Sequence, residues 1–182
     1  KFEGGIVASP KIDGCAVSLR YDASGNLVQG ATRGDGVEGE EITNNVKFIS
    51  SIPQKISLGN VEVRGEIYMP LSVFAGFKDT FSNPRNLAAG AIKQKDPKKT
   101  GAYKLSFFAY DMIGSDDEFE NEKYRRLKGL GFDVVEWKKI GRNEISSAYE
   151  YFLSKRDSYD FELDGVVFRA DDLSEQERLG IT

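Results

Sequence analysis

Cys15-Ala16-Val17-Ser18-Leu19-Arg20-Tyr21 decides the fold. Cys15, Val17, Leu19 and Tyr21 alternate with Ala16, Ser18 and Arg20, the two-residue period of a strand with one face buried. Asp22-Ala23-Ser24-Gly25-Asn26 follows, a cluster of turn formers. Asp and Asn side chains bond nearby backbone, and glycine accepts left-handed torsions without steric cost. Leu27 to Thr32 then returns as the second arm of a hairpin. Val61 to Tyr68 repeats the alternation, with Val63 and Ile67 on one side and Glu62, Arg64 and Glu66 on the other. Gly65, lying among those charges, is expected to let a ligand approach the backbone. Leu105 to Tyr110 and Phe161 to Arg169 read as two further strands.

Between the strands the period changes. After the glycine-dense loop Gly34 to Gly39, Ile42, Val46 and Ile49 share one face of a short helix. Asn83-Pro84 is a helix start, with asparagine as N-cap and proline at the first helical position. Leu87 to Lys93 continues that helix, and Asp96-Pro97 is expected to end it. Amphipathic helices are expected near Glu120 to Leu130, closed by Gly131, and near Glu144 to Lys155, with a short one over Ser174 to Leu179. The class is α+β, antiparallel sheets flanked by helices, in one domain over residues 1–182.

Composition removes whole kinds of chemistry. With 182 residues, 40% hydrophobic and 30% charged, the chain suits one folded domain. No apolar run approaches the ~20 residues of a membrane span, and no signal peptide is visible, so no membrane partner is expected. A single cysteine, Cys15, forbids an internal disulfide and a cysteine-based zinc site within this chain. The absence of histidine removes Ser-His-Asp and Cys-His catalysis and His-ligated metals. One thiol fits a reducing compartment, and the expected location is the cytoplasm of a bacterial or phage-infected cell. The net charge of −4 argues against a general affinity for nucleic acid. Locally, Asn83 to Lys104 carries six basic residues against the single acid Asp96, either a solvated face or a phosphate-contacting patch. The first residue is lysine rather than methionine, so a processed product, a fragment or an engineered piece is expected.

Lys11-Ile12-Asp13-Gly14 carries the chemistry. A lysine attacks phosphorus only as the neutral amine, and its free pKa is about 10.4, so burial or nearby cations, including a metal ion, are expected at such a site. Asp13 is placed to orient a ribose or help hold a metal, and Gly14 admits close backbone approach. A surface lysine followed by an Asp-Gly turn would give the same four letters.

Five further blocks follow in order. They are Ala31-Thr32-Arg33-Gly34-Asp35-Gly36, Glu62-Val63-Arg64-Gly65-Glu66, Asn83-Pro84-Arg85-Asn86, Phe107-Phe108-Ala109-Tyr110 and Asp164-Gly165-Val166-Val167-Phe168-Arg169. Together with Lys11 to Gly14 the set closely resembles the adenylation domain of bacterial NAD-dependent DNA ligases, from about Ser9 to Thr182. The resemblance implies the nucleotidyltransferase core of those ligases, related to the ATP-grasp fold. It implies an enzyme that forms phosphodiester bonds in DNA replication and repair, with NAD as AMP donor, Mg²⁺ as metal and nicked duplex DNA as partner.

By the same resemblance Lys11 takes AMP onto itself and Asp13 and Gly14 complete its motif. Arg33 holds the nucleotide, Glu66 contacts the ribose, and Tyr110 stacks on adenine. Asp164 lies near metal and phosphate, with Glu66 a second metal candidate, and Arg85 and Lys93 face phosphate or the nicked DNA. Three positions depart from the family's pattern. Ser9 stands where an acid usually reads the adenine amino group, Arg169 closes a block that normally ends in lysine, and Lys93 replaces a more usual arginine. Ser9 and Arg169 are kept as nucleotide-binding positions. The family's nicotinamide-binding segment, a later lysine-bearing strand, and the oligonucleotide-binding, zinc-finger, helix-hairpin-helix and terminal domains are expected outside this stretch, elsewhere in the chain or on a second subunit. Two other readings share these residues: an ATP-dependent polynucleotide ligase or capping-type nucleotidyltransferase, and a non-catalytic subunit that keeps the fold.

Overall fold

The computed structural model describes residues 2–34 and 39–180. Asp35 to Glu38 of the glycine-dense loop, and Thr182, lie outside the described residues. Seven strands form two antiparallel sheets among the described residues. The first sheet has the order β6-β1-β7, from β1 (Ile6–Ile12), β6 (Lys138–Ile140) and β7 (Leu163–Ala170). The second has the order β3-β2-β4-β5, from β2 (Cys15–Tyr21), β3 (Leu27–Thr32), β4 (Val61–Tyr68) and β5 (Ser106–Ile113). Helices α1 (Thr43–Val46), α2 (Leu71–Phe74), α3 (Pro84–Ala91), α4 (Pro97–Ala102), α5 (Glu120–Gly129), α6 (Ile145–Ser154) and α7 (Leu173–Leu179) flank them.

The alternating stretches fold as their pattern requires. Val17, Leu19, Val63 and Ile67 are fully buried, and with Val46, Ile49, Leu87 and Phe107 they form the larger core under the four-stranded sheet. The opposite face of that sheet carries Glu62, Arg64 and Glu66, all half-buried. The hairpin turn closes through Asp22, whose carboxylate accepts the N–H groups of Ser24 and Asn26, while Gly25 sits at φ 78°. A smaller core joins the three-stranded sheet to α6 through Ile6, Ala8, Ala148 and Phe152.

Lys11 lies on β1, a strand that precedes the alternating Cys15–Tyr21 and whose residues Ile6 to Pro10 are all buried. Two expectations need correction. Asp96-Pro97 begins a helix rather than ending one: Asp96 accepts the Lys98 N–H and Pro97 is the first residue of α4. Gly65 makes room for protein, not ligand. A Cβ there would strike the Phe108 carbonyl and the Phe107 ring of β5.

Three strands carry an unpaired extra residue; on β3 it is Val28, between Leu27 opposite Tyr21 and Gln29 opposite Arg20. On β7, Lys11 pairs with Gly165 and Ile12 with Leu163, leaving Asp164 without a partner. On β5, Arg64 pairs with Asp111 and Gly65 with Ala109, leaving Tyr110 without one. A bulge of this kind re-aims side chains off the regular ladder.

Candidate active site

The two sheets enclose a cavity of about 350 Å³. Ser9 and Lys11 of β1, Arg169 of β7, Glu66 of β4, Tyr110 of β5 and Arg33 after β3 all line it. Six positions picked from distant parts of the chain thus share one hollow. Phe108, Tyr124, Val135 and Val167 complete its apolar wall.

Strand geometry gives the hollow a direction. Ser9 and Lys11 are two residues apart on β1 and share a face. Ser9 is 4% exposed, whereas the Lys11 side chain is 57% exposed. Lys11 pairs with Gly165, Ser9 with Val167 and Val7 with Arg169, so Arg169 lies beyond Ser9 at the sealed end. The Lys11 end is therefore the more open one, and the interior is lined by Phe108, Tyr110 and Tyr124.

At the mouth, Lys11 Nζ donates to Asp164 Oδ2 at 2.5 Å. The bulge on β7 supplies that carboxylate, and the Lys11 hydrogen bond and charge hold its carboxyl below the usual carboxylate range. The burial expected around Lys11 is not found: more than half of its side chain is open to solvent. Arg85 Nη1 lies 3.4 Å from Asp13 Oδ1, outside the cavity wall. Lys93 is further out, ion-paired with Glu40. Arg85, Lys93, Lys95, Lys98, Lys99 and Lys104 are all exposed on and around α3 and α4.

Gly14 faces a strand rather than the hollow. A Cβ there would meet the Ile67 carbonyl, and its N–H bonds the Glu66 carboxylate. Burial pushes the Glu66 carboxyl up to about 7, against the pull of that N–H and of the Arg85 charge. Glu66 is thus a carboxyl that exchanges its proton near neutrality.

Deeper in, the Arg33 charge lies near Tyr110, and Arg169 lies over the Tyr110 ring with Cζ 5.6 Å from its centroid. Arg169 Nη1 donates to Glu120 Oε1 at 2.9 Å, and Gln176 Nε2 donates to Glu120 Oε2 at 3.0 Å. The Glu120 side chain is fully buried. Ser9 and Tyr124 both line this end, and the Tyr124 phenol is pushed up to about 12 by burial and by the Glu120 charge. Trp137 stacks on Tyr124 at 5.3 Å between centroids. Neither Tyr124 nor Glu120 was visible as a site residue. A helical aromatic reads as core, and an acid in a first helical turn reads as a favourable dipole partner.

The hollow thus runs from an exposed lysine to an aromatic interior, and solved structures share the fold that builds it. A mycobacterial DNA ligase D complexed with ATP and MES superposes with TM-score 0.55 at 14% identity, covering 92% of this chain and 49% of that one. An archaeal ATP-dependent RNA ligase superposes with TM-score 0.57 at 16% identity, covering 94% of this chain and 41% of that one. These likenesses place the fold among ligase nucleotidyltransferase domains.

Sequence narrows the class. The model of the NAD-dependent DNA ligase adenylation domain matches residues 2–182, and the chain belongs to that family. The DNA ligase of Oceanobacillus iheyensis is 43% identical over 97% of this chain. That of Rickettsia bellii is 40% identical over 96% of it. The chain spans only 28% and 27% of those two relatives. Among the described residues no helix is long and apolar enough to cross a membrane.

Proposed function

We propose that this chain is the adenylate-accepting unit of an NAD-dependent DNA ligase, with Lys11 as nucleophile. The carrying observation is that Lys11, Glu66 and Tyr110 line one nucleotide-sized hollow, with the amine at its open end. The Lys11 amine attacks the AMP phosphorus of NAD. The bond to the nicotinamide mononucleotide oxygen breaks, that half leaves with the electron pair, and the Nζ proton is released. In the whole ligase AMP then passes to the 5′-phosphate of a nick, and the 3′-hydroxyl displaces it to seal the strand. The site works where NAD and nicked chromosomal DNA meet, the bacterial cytoplasm. The remaining ligase domains lie elsewhere in the chain or on a second subunit.

Each side chain has a task set by its place. Tyr110, brought out by its bulge, offers a face for the adenine, and the Arg33 charge lies near it. Glu66, near neutrality and anchored by Gly14, bonds a ribose hydroxyl. Asp13 is held by Arg85 beside the mouth. Arg85 and Lys93, exposed on one side of α3, contact phosphate or the nicked duplex. The Lys11–Asp164 pair must open before attack, because the amine has to shed its proton.

Mg²⁺ fits here only as a partner of substrate phosphates. Among the described residues no group of three or more acidic, histidine or cysteine side chains is gathered for a metal. Mg²⁺ typically takes one or two carboxylates and keeps several waters. Asp164, exposed at the mouth, is the carboxylate that would hold it, and Glu66 is the second candidate. When bound it neutralises charge on the phosphate oxygens.

Intact-mass spectrometry after incubation with NAD and Mg²⁺ tests the proposal. The expected result is one added AMP with NAD, none with ATP, and none in Lys11→Ala. An adduct that survives Lys11→Ala, or one formed from ATP in place of NAD, would sink it.

A further inference from the structure

One side chain of the cavity wall is held from outside it. Arg169 lines the hollow and lies over the Tyr110 ring, while its Nη1 donates to Glu120 Oε1 at 2.9 Å. Glu120 is fully buried and does not line the hollow. Its second oxygen, Oε2, accepts from Gln176 Nε2 at 3.0 Å. Among the described residues no other hydrogen bond to that carboxylate is made. Gln176 Nε2 also donates to the Ala170 carbonyl at 2.7 Å. Ala170 follows Arg169 on β7, so one amide grips both the partner of Arg169 and the backbone beside it. Both N–H groups of that amide are used. Turning the amide over would set its oxygen against a carboxylate and a carbonyl, so its partners fix its orientation. A carboxylate is a rigid plate, and one oxygen pinned by Gln176 fixes where the other meets Arg169.

We propose that Gln176 is a positioning residue of the nucleotide site, acting through the buried Glu120 carboxylate to hold Arg169 in the cavity wall. Without the Gln176 amide, Glu120 keeps one partner and is free to turn, and Arg169 turns with it. The Arg169 side chain is 33% exposed, so water competes for the guanidinium once its carboxylate moves. Its seat over Tyr110 is then lost. The helix that carries Gln176 does not depend on that residue for its own place. Asp172 caps α7 by accepting the N–H groups of Ser174 and Glu175. The Leu173 N–H donates to the Glu118 carbonyl at 3.0 Å. Buried Glu175 accepts the N–H groups of Glu3 and Gly4, just ahead of β1. Replacing Gln176 therefore cuts the link to Glu120 and leaves α7 docked.

The inference rests on the proposed nucleotide site, and calorimetric titration with AMP separates the two. Groups in one hydrogen-bond network couple by roughly 2- to 150-fold in an equilibrium constant. Gln176→Leu removes both donors at similar volume and is expected to raise the AMP dissociation constant by ~5-fold or more. Glu120→Leu is expected to weaken AMP binding to a similar degree. In the Glu120→Leu background, adding Gln176→Leu should change AMP affinity by less than ~2-fold, because the relay has already been cut. A merely structural Gln176 would lower affinity equally in both backgrounds, and that result overturns the inference while leaving the site standing. Unchanged AMP affinity in Gln176→Leu does the same. Failure of the unsubstituted chain to bind AMP overturns both readings. Gln176→Met, unbranched like glutamine, is read in the same way should the leucine variant not fold.

Discussion

Replacing Arg169 with methionine isolates the pair that seals the cavity. The Glu120 side chain is fully buried, with one oxygen on Arg169 Nη1 at 2.9 Å and the other on Gln176 Nε2 at 3.0 Å. Arg169→Met preserves much of the volume but leaves a buried carboxylate facing one neutral donor. Breaking such a pair from one side costs about 3–5 kcal/mol, because the remaining charge has no compensation. The Arg169 side chain is 33% exposed, so water reaches its end of the pair and the lower figure, about 3 kcal/mol, applies. For a domain of this size that is a fall in Tm of roughly 6–12 °C. Urea unfolding followed by Trp137 fluorescence reads it directly, since the indole stacks on Tyr124 beside the pair. Adding Glu120→Gln removes the stranded charge at nearly constant shape and should recover most of the loss. A cost under ~1 kcal/mol, or a double variant as unstable as Arg169→Met, would refute the reasoning.

Two further outcomes follow from the site. Glu66 is raised from a carboxylate's usual range to about 7, so between roughly pH 4.5 and 7 the folded state holds a proton that the unfolded chain has lost. Its contribution to stability is full below that window and lost as pH rises through it; Glu66→Gln should flatten this fall in denaturation curves taken across the range. Gly14→Ala drives a methyl into the Ile67 carbonyl and displaces the N–H that anchors Glu66. A loss of about 1–3 kcal/mol is expected from urea titration, with weaker AMP binding in calorimetry at temperatures where the variant is folded.

How much of this was legible depended on which faces are buried. β2 and β4 each show one apolar and one polar side, and their alternation marked them at once. β1 is buried on both faces from Ile6 to Pro10, so no period of two survives, and Pro10 interrupts what remains. Proline is tolerated there because β6 pairs only with Ile6 to Ala8, leaving one side of the strand at Pro10 without a ladder. Asn83-Pro84 and Asp96-Pro97 carry the same cap signature, yet only the first reads as a start. The second follows so closely on a helix that the proline looks like a stop. Lys11, Arg33, Glu66, Tyr110 and Arg169, which line the hollow, were reached through ordered short blocks. Tyr124 and Glu120 escaped because their roles depend on where α5 docks, and no local pattern encodes that placement.

Asp164 and Tyr110 are both supernumerary in their strands. Remove either one and the flanking residues can close ranks into uninterrupted pairing. On the proposed function it is the chemistry, rather than the scaffold, that requires them. A chain shortened by these two residues would be the natural inert twin of this one, alike in architecture and empty of purpose.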